Sequence, residues 1–322
     1  DAQADKRFKA KESIIKSNIH SAMCVPLYNN KEIIGIIYAD RISLLDQFSD
    51  SDLKLLTLLS NLAAVKIENA RLVEKAIENE RMEKELALAA QIQKDLLPKE
   101  NPEFEKMDIT GSNVPCYQVG GDYFDFIELD SKRLGIVIAD VSGKGVGASL
   151  LMASLRACLH SEVDSGCSLE KMALRLNDFV HKSSSSNCFI TFFYCEYDNK
   201  KNELRYINAG HNPPLLIEKK GTVDRFEISG LCLGMFPSSE YEEKKIIMSP
   251  GDTLLLYTDG ITESRNKKGE EFTEERMINI AKQNIKLPAQ DLMKKIFEEV
   301  NEFTSGVNQM DDMTMIVLKR TH

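Results

Sequence analysis

Four short segments each put an aspartate at the end of an apolar, strand-like run. They are Gly120-Gly121-Asp122-Tyr123, Ala139-Asp140-Val141-Ser142-Gly143-Lys144-Gly145, Tyr257-Thr258-Asp259-Gly260 and Asp311-Asp312-Met313-Thr314. Acids gathered at one edge of a sheet repel each other. Two bare carboxylates about 4 Å apart cost roughly 4 kcal/mol at an effective dielectric near 20. A cation between them removes that cost, and Mg²⁺ or Mn²⁺ suits the purpose because hard ions take oxygen ligands and retain waters. Each segment alone has a plainer reading, since Asp at a strand end caps a turn and Asp-Gly is a common turn pair. Four of them in one chain favour the cation.

The Asp140 segment also resembles a phosphate loop in outline, with an apolar strand, a Gly/Ser turn and a helix beginning near Gly147. The G-x-x-x-x-G-K-[ST] pattern is absent, because Lys144 is followed by Gly145. The glycines instead let backbone groups approach an ion or a phosphoryl oxygen.

The elements that must position these acids are legible in the patterning. Residues 20–42 read as a hairpin of two buried strands around Asn29-Asn30-Lys31. Ser49 or Asp50 is placed to cap a helix that runs from Leu53 without Gly or Pro to Leu97, where Pro98 stops it. Leu55, Leu58, Leu59, Leu62 and Val65 form an apolar stripe on it. Leu72, Ala76, Leu86, Ala90 and Leu97 continue a heptad that Asn69, Asn79, Glu83 and Gln93 interrupt. The helix is either a parallel dimer linker or a solvated helix lying along the next domain. Beyond it, strand patterns at Leu134–Ala139, Phe189–Tyr197, Glu203–Asn208, Leu215–Glu218, Thr253–Thr258 and Met313–Lys319 alternate with helical ones. The helices fall at Val146–Val163, Leu169–His181, Glu274–Gln283 and Ala289–Phe303, in pairs that argue against a regular parallel α/β sheet.

Composition narrows the function classes. A net charge of -9 disfavours general nucleic-acid or anionic-membrane binding. Seven cysteines, odd in number and without C-x-x-C spacing, fit neither a zinc nor a disulfide framework and point to a reducing cytosol. No apolar run reaches the roughly 18 residues of a membrane span. The chain opens at Asp1 without a methionine or a secretory signal. We read it as part of a longer protein that has room for an upstream membrane anchor.

Taken in order, Gly-Gly-Asp122, Asp140-Val-Ser-Gly-Lys-Gly, Asn208-Ala-Gly-His-Asn-Pro-Pro214, Tyr257-Thr-Asp-Gly-Ile-Thr-Glu263 and Asp311-Asp-Met-Thr resemble the SpoIIE/RsbU-like branch of the PPM metal-dependent serine/threonine phosphatases. Ala89-Ala-Gln-Ile-Gln-Lys-Asp-Leu-Leu-Pro98 is similar to the helix that precedes this domain. Residues before it, through Gly35-Ile-Ile-Tyr-Ala-Asp40 and Phe48-Ser-Asp, are similar to the C-terminal half of a GAF sensory domain.

The resemblance implies an α+β chain. Residues 1–68 would be the C-terminal part of a GAF-like domain and 69–98 a coiled-coil-like linker. Residues 104–320 would form a phosphatase domain built as an α-β-β-α layered β-sandwich. It implies two Mn²⁺ or Mg²⁺ ions at one end of the sandwich. Asp140 would bridge them, the Val141 carbonyl would bind one, and Asp259 and Asp311 would complete the other's shell. Asp122 would hold metal-bound water, and Asp312 would be a ligand or an acid just behind the ligands.

The substrate implied is phosphoserine or phosphothreonine on a small regulator such as a STAS-domain anti-sigma antagonist, with homodimerisation through the linker. Three positions depart from the family's pattern or stay open. No arginine lies near Asp122 in the sequence, Lys144 is a candidate phosphate contact, and His211 is either a general acid or a structural residue. A catalytically silent scaffold of the same fold is the alternative. A metal-dependent nuclease or phosphodiesterase is disfavoured by the acidic balance and the lack of a basic, aromatic-lined groove.

Overall fold

The structure is a computed structural model that describes residues 19–29, 31–42, 47–184 and 188–321. The first 18 residues of the GAF-like segment therefore lie outside the described residues. The chain divides into two compact units, with the boundary between Glu85 and Leu86.

In the first unit, β1 (Ser21–Tyr28) and β2 (Ile33–Arg41) form an antiparallel hairpin. Helix α1 (Asp50–Leu96) follows and runs on past the unit boundary. It starts at a reciprocal capping box. The Ser49 hydroxyl accepts the Asp52 N–H at 3.2 Å, and the Asp52 carboxylate accepts the Ser49 N–H at 2.8 Å.

The expectation of two buried strands does not hold. Val25 is 6% exposed, but Ile33, Ile36 and Tyr38 are 62%, 65% and 52% exposed. A two-stranded hairpin has two faces, and among the described residues α1 covers one of them. The covering side of α1 carries small residues. The Ser60 hydroxyl donates to the Pro26 carbonyl at 2.5 Å, and Ala64 is 1% exposed. The leucine stripe faces away, with Leu55, Leu58 and Leu62 each more than half exposed.

The second unit is built on two five-stranded sheets with antiparallel pairing. One contains, in spatial order, β10 (Lys244–Ile247), β7 (Glu203–Ala209), β6 (Ile190–Asp198), β5 (Arg133–Val141) and β4 (Tyr123–Asp130). The other contains β3 (Met107–Val114), β12 (Met313–Arg320), β11 (Thr253–Tyr257), β8 (Leu215–Ile217) and β9 (Val223–Arg225). Helices α2 (Val146–Asp164) and α3 (Leu169–Ser183) cover the first sheet through Met152, Leu155, Leu159 and Leu176. After the short α4 (Asp259–Thr262), α5 (Glu274–Gln283) and α6 (Ala289–Phe303) cover the second through Met277, Leu292 and Ile296. The layering is therefore α-β-β-α.

Between the sheets lies an apolar core that includes Phe124, Ile136, Ile138, Phe193, Leu254, Leu256, Ile316 and Leu318. Burying each of these is worth about 1.5–3 kcal/mol. Their parity fixes the site. Side chains alternate along a strand. Val137, Ala139 and Val141 face the helices while Ile136 and Ile138 face inward, so Asp140 also points between the sheets. The same count turns Asp122, Thr258, Asp312 and Thr314 inward. Among the described residues no helix is long and apolar enough to cross a membrane.

Candidate metal centre

The start of β4, the end of β5, the end of β11 and the start of β12 meet at one end of the sandwich. Asp122 precedes β4 and is 3% exposed. Its Oδ2 accepts hydrogen bonds from the Thr258 hydroxyl at 2.8 Å and the Thr314 hydroxyl at 2.5 Å, so an acid of one sheet is held by hydroxyls of the other. Asp140 lies close enough to Asp122 for the two carboxyl groups to interact. Two residues permit the close approach of the strand ends. A methyl on Gly121 would sit 2.8 Å from the Val141 carbonyl oxygen, and one on Gly260 would sit 1.9 Å from the Asp312 carbonyl oxygen.

The electrostatics are those of an acid cage. Burial, then the charges of Asp259, Asp311 and Asp312, push Asp140 from its ordinary 3.8 up to about 7. Burial and the neighbouring Asp140 raise Asp122 well above the usual carboxylate range. Burial, Glu263 and Asp311 raise Asp259. Like charges this close do not all ionise without a counter-charge. One counter-charge is internal. The Lys144 ammonium lies 2.8 Å from Asp311 Oδ2 and also donates to the Met310 carbonyl. Burial opposes the Lys144 charge, and the Asp311 carboxylate more than offsets it, so the amine is held above its ordinary pKa. Among the described residues no three His, Cys, Asp or Glu side chains close tightly enough to enclose an ion as they stand. The donor set is nonetheless all oxygen, acidic and short of positive charge, which fits a hard divalent cation.

Beside the acids opens a cleft of about 350 Å³, lined in part by Lys144, Asp259, Glu263, Arg265, Asn308 and Asp311. The profile of the family described as Stage II sporulation protein E (SpoIIE) matches residues 130–321. The chain belongs to the SpoIIE family. The GAF domain profile matches residues 1–67. Phosphoserine phosphatase RsbU of Bacillus subtilis (strain 168) is 32% identical over 238 residues, covering 73% of this chain and 70% of RsbU. The crystal structure of the RsbU and RsbW domains of Rv1364c from Mycobacterium tuberculosis aligns with a TM-score of 0.59 and 26% identity. That alignment covers 67% of this chain and 60% of the crystallised chain, so this chain spans less than two thirds of it. RsbX in complex with magnesium shares the fold, with a TM-score of 0.53 and 17% identity over 68% of this chain and 98% of RsbX. This SpoIIE-family chain thus carries a GAF-type segment ahead of a SpoIIE-type domain.

The six acid-motif positions, Asp122, Asp140, Val141, Asp259, Asp311 and Asp312, all lie at one end of the sandwich. They do not play equal parts. Asp312 is 6% exposed, and its oxygens are taken by backbone N–H groups, from Cys116 at 2.7 Å, Gly121 at 2.8 Å and Asp122 at 3.5 Å. It pins the Gly-Gly-Asp loop rather than facing the cleft. His211 is 1% exposed, which does not suit a residue that must hand a proton to a leaving group. Thr258 and Thr314 were in the quoted motifs, but only the sheet-to-sheet approach reveals their hydroxyls on Asp122. Arg265 follows the Asp259 motif closely in sequence and reaches the cleft, where it pairs with Glu271 at 2.8 Å. Gln93, read from the sequence as an interruption of the heptad, makes two bonds to one residue. Its Nε2 donates to the Gly120 carbonyl at 2.7 Å, and its Oε1 accepts the Gly120 N–H at 3.0 Å.

Proposed function

We propose that the chain removes phosphate from phosphoserine or phosphothreonine on a small regulatory protein such as a STAS-domain antagonist, with Mn²⁺ or Mg²⁺ held by the acid cage. The observation that carries this reading is the meeting of Asp122, Asp140, Asp259 and Asp311 at one end of the sandwich, where burial and neighbouring carboxylates raise the first three and divalent cations would relieve the cost. Asp140, the Val141 carbonyl, Asp259 and Asp311 would hold two ions, and Asp122 would orient a water beside them. When bound, the ions lower the pKa of a coordinated water and neutralise phosphoryl oxygens. Thr258 and Thr314 fix the Asp122 carboxylate so that it can accept a proton from that water. Lys144 and Arg265 supply the positive charge along the cleft that a phosphoprotein meets. RsbU is a phosphoserine phosphatase, which supports the substrate class. Phosphate release from a phosphoserine protein should appear with Mn²⁺ and vanish with excess chelator. Equal rates in both would remove the metal-dependent reading and leave the silent scaffold in its place.

The regulatory part of the proposal rests on Gln93. Its paired bonds tie the last turns of α1 to Gly120, two residues before Asp122 and beside the loop that Asp312 pins. Movement of α1 would thus reach the metal acids through one backbone unit. Gln93→Ala is expected to raise the Mn²⁺ concentration for half-maximal activity several-fold, while the KM for phosphoprotein holds. An unchanged Mn²⁺ requirement would count against the coupling. The exposed leucine stripe of α1 and its heptad support a homodimer through this helix. The cytosol remains the proposed compartment.

A further inference from the structure

His211 is a fully buried titratable group to which the metal reading gives no work. It closes the Asn208-Ala-Gly-His turn where β7 ends, and its backbone N–H donates to Asn208 Oδ1 at 2.8 Å. Its ring Nδ1 lies 2.8 Å from the Thr191 hydroxyl. Thr191 is the register partner of Asp140 across the β5–β6 ladder. Both residues have the inward parity of Phe193 and Ile138, and directly paired side chains on one face stand about 4.5–5.5 Å apart at Cβ. On its other side the ring approaches the Tyr257 carbonyl, although Nε2 closes no hydrogen bond of good geometry. Tyr257 ends β11 and leads through Thr258 into Asp259. The ring therefore stands between the strand that faces Asp140 and the strand that delivers Asp259. Burial, partly opposed by the Tyr257 carbonyl, lowers its pKa to about 4, so it is neutral at neutral pH and adds no charge to the cage.

We propose that Thr191 and His211 form a positioning pair that holds the Asp140 end of one sheet in register with the Asp259 end of the other, and so set the affinity of the centre for its cation. His211 holds the Thr191 hydroxyl at 2.8 Å, and Thr191 stands opposite Asp140 in the β5–β6 register. Neither residue touches the phosphoryl group. The inference rests on the metal-dependent reading above and deepens it. Residues in such supporting positions typically change metal affinity by about 10–100-fold when removed.

The test uses Thr191→Val, which deletes the hydroxyl but keeps the side-chain shape, and Thr191→Ser, which keeps the hydroxyl. Mn²⁺ binding is measured by calorimetry, melting temperature is measured in chelator, and kcat and KM are measured on a phosphoserine protein. Thr191→Val is expected to weaken Mn²⁺ binding by about tenfold or more. Its chelator melting temperature and its KM should stay near those of the unsubstituted protein, and Thr191→Ser should restore binding. His211→Asn, which keeps a polar atom near the Nδ1 position, should bind Mn²⁺ more tightly than His211→Leu. Unaltered Mn²⁺ affinity in Thr191→Val overturns the proposal, as does a Thr191→Ser variant as weak as Thr191→Val. If the unsubstituted protein itself binds no Mn²⁺, the metal-dependent function fails and the positioning role with it. If it binds and Thr191→Val matches it, only the positioning role fails.

Discussion

Asp140→Asn should lower Mn²⁺-dependent phosphate release by about 10³-fold or more, equivalent to roughly 4 kcal/mol in the barrier, with the fold retained. Asp140 is the acid on which the others converge. It interacts with Asp122 and feels the charges of Asp259, Asp311 and Asp312, so removing its charge disconnects the set. Asparagine keeps the shape at the end of β5, and Ile136 and Ile138 still anchor the strand in the inter-sheet core. In chelator the variant should melt higher than the parent at pH 8, because the neutral amide relieves the repulsion. A domain of this size gains roughly 2–4 °C for each kcal/mol. The pairing of lost activity with raised metal-free stability separates a ligand from a structural residue, for which both would fall. A variant that keeps more than a tenth of the parent rate would sink the assignment of Asp140.

The metal-free protein should lose stability as pH rises from about 4 to about 7, against the usual behaviour of surface carboxylates. Asp140 titrates near 3.8 when unfolded and near 7 when folded, so between these values the folded state binds the extra proton. Its favourable contribution is complete below the unfolded pKa and disappears as pH climbs through the folded one. The slope approaches about 1.4 kcal/mol per pH unit for one proton. Asp122 and Asp259 are raised as well and act in the same direction. Saturating Mn²⁺ should flatten or reverse the trend, since binding displaces the protons that acid would otherwise supply. Melting temperatures in chelator and in Mn²⁺ across pH 5–8, compared with Asp140→Asn, isolate the effect. Parallel pH curves for the parent and Asp140→Asn in chelator would show that the cage carries no such strain.

Much of the fold was written in local pattern. The apolar runs in Leu134–Ala139 and Met313–Lys319 marked strands whose observed bounds are β5 (Arg133–Val141) and β12 (Met313–Arg320). The 3.6-residue pattern at Leu169–His181 and Ala289–Phe303 marked the helices observed as α3 and α6. Those signals are legible because burying one face imposes a period on the chain. Weakly patterned elements were not legible. β3 (Met107–Val114) reads Met-Asp-Ile-Thr-Gly-Ser-Asn-Val, and β9 and β10 are short edge strands that each pack a single apolar side chain, Val223 and Ile246, on a core. The hairpin of the first unit misled for the converse reason, because an apolar strand announces that it can be buried and not that anything covers it.

The sequence by itself determined which acids the protein has to spend, that each stands at a strand end, and that their order matches a phosphatase family. It did so because glycine, aspartate and apolar alternation act over a few residues. Only the tertiary structure decided what each acid does. Asp311 and Asp312 are neighbours in the chain, yet the alternation of β12 leaves one in the cleft beside Lys144 and turns the other onto the N–H groups of Cys116 and Gly121. Asp122 owes its hydroxyl partners to Thr258 and Thr314, each more than a hundred residues away in the chain. Charge and hydrogen bonding act through space, over a few ångströms, between residues that only the packing of one sheet on another brings together.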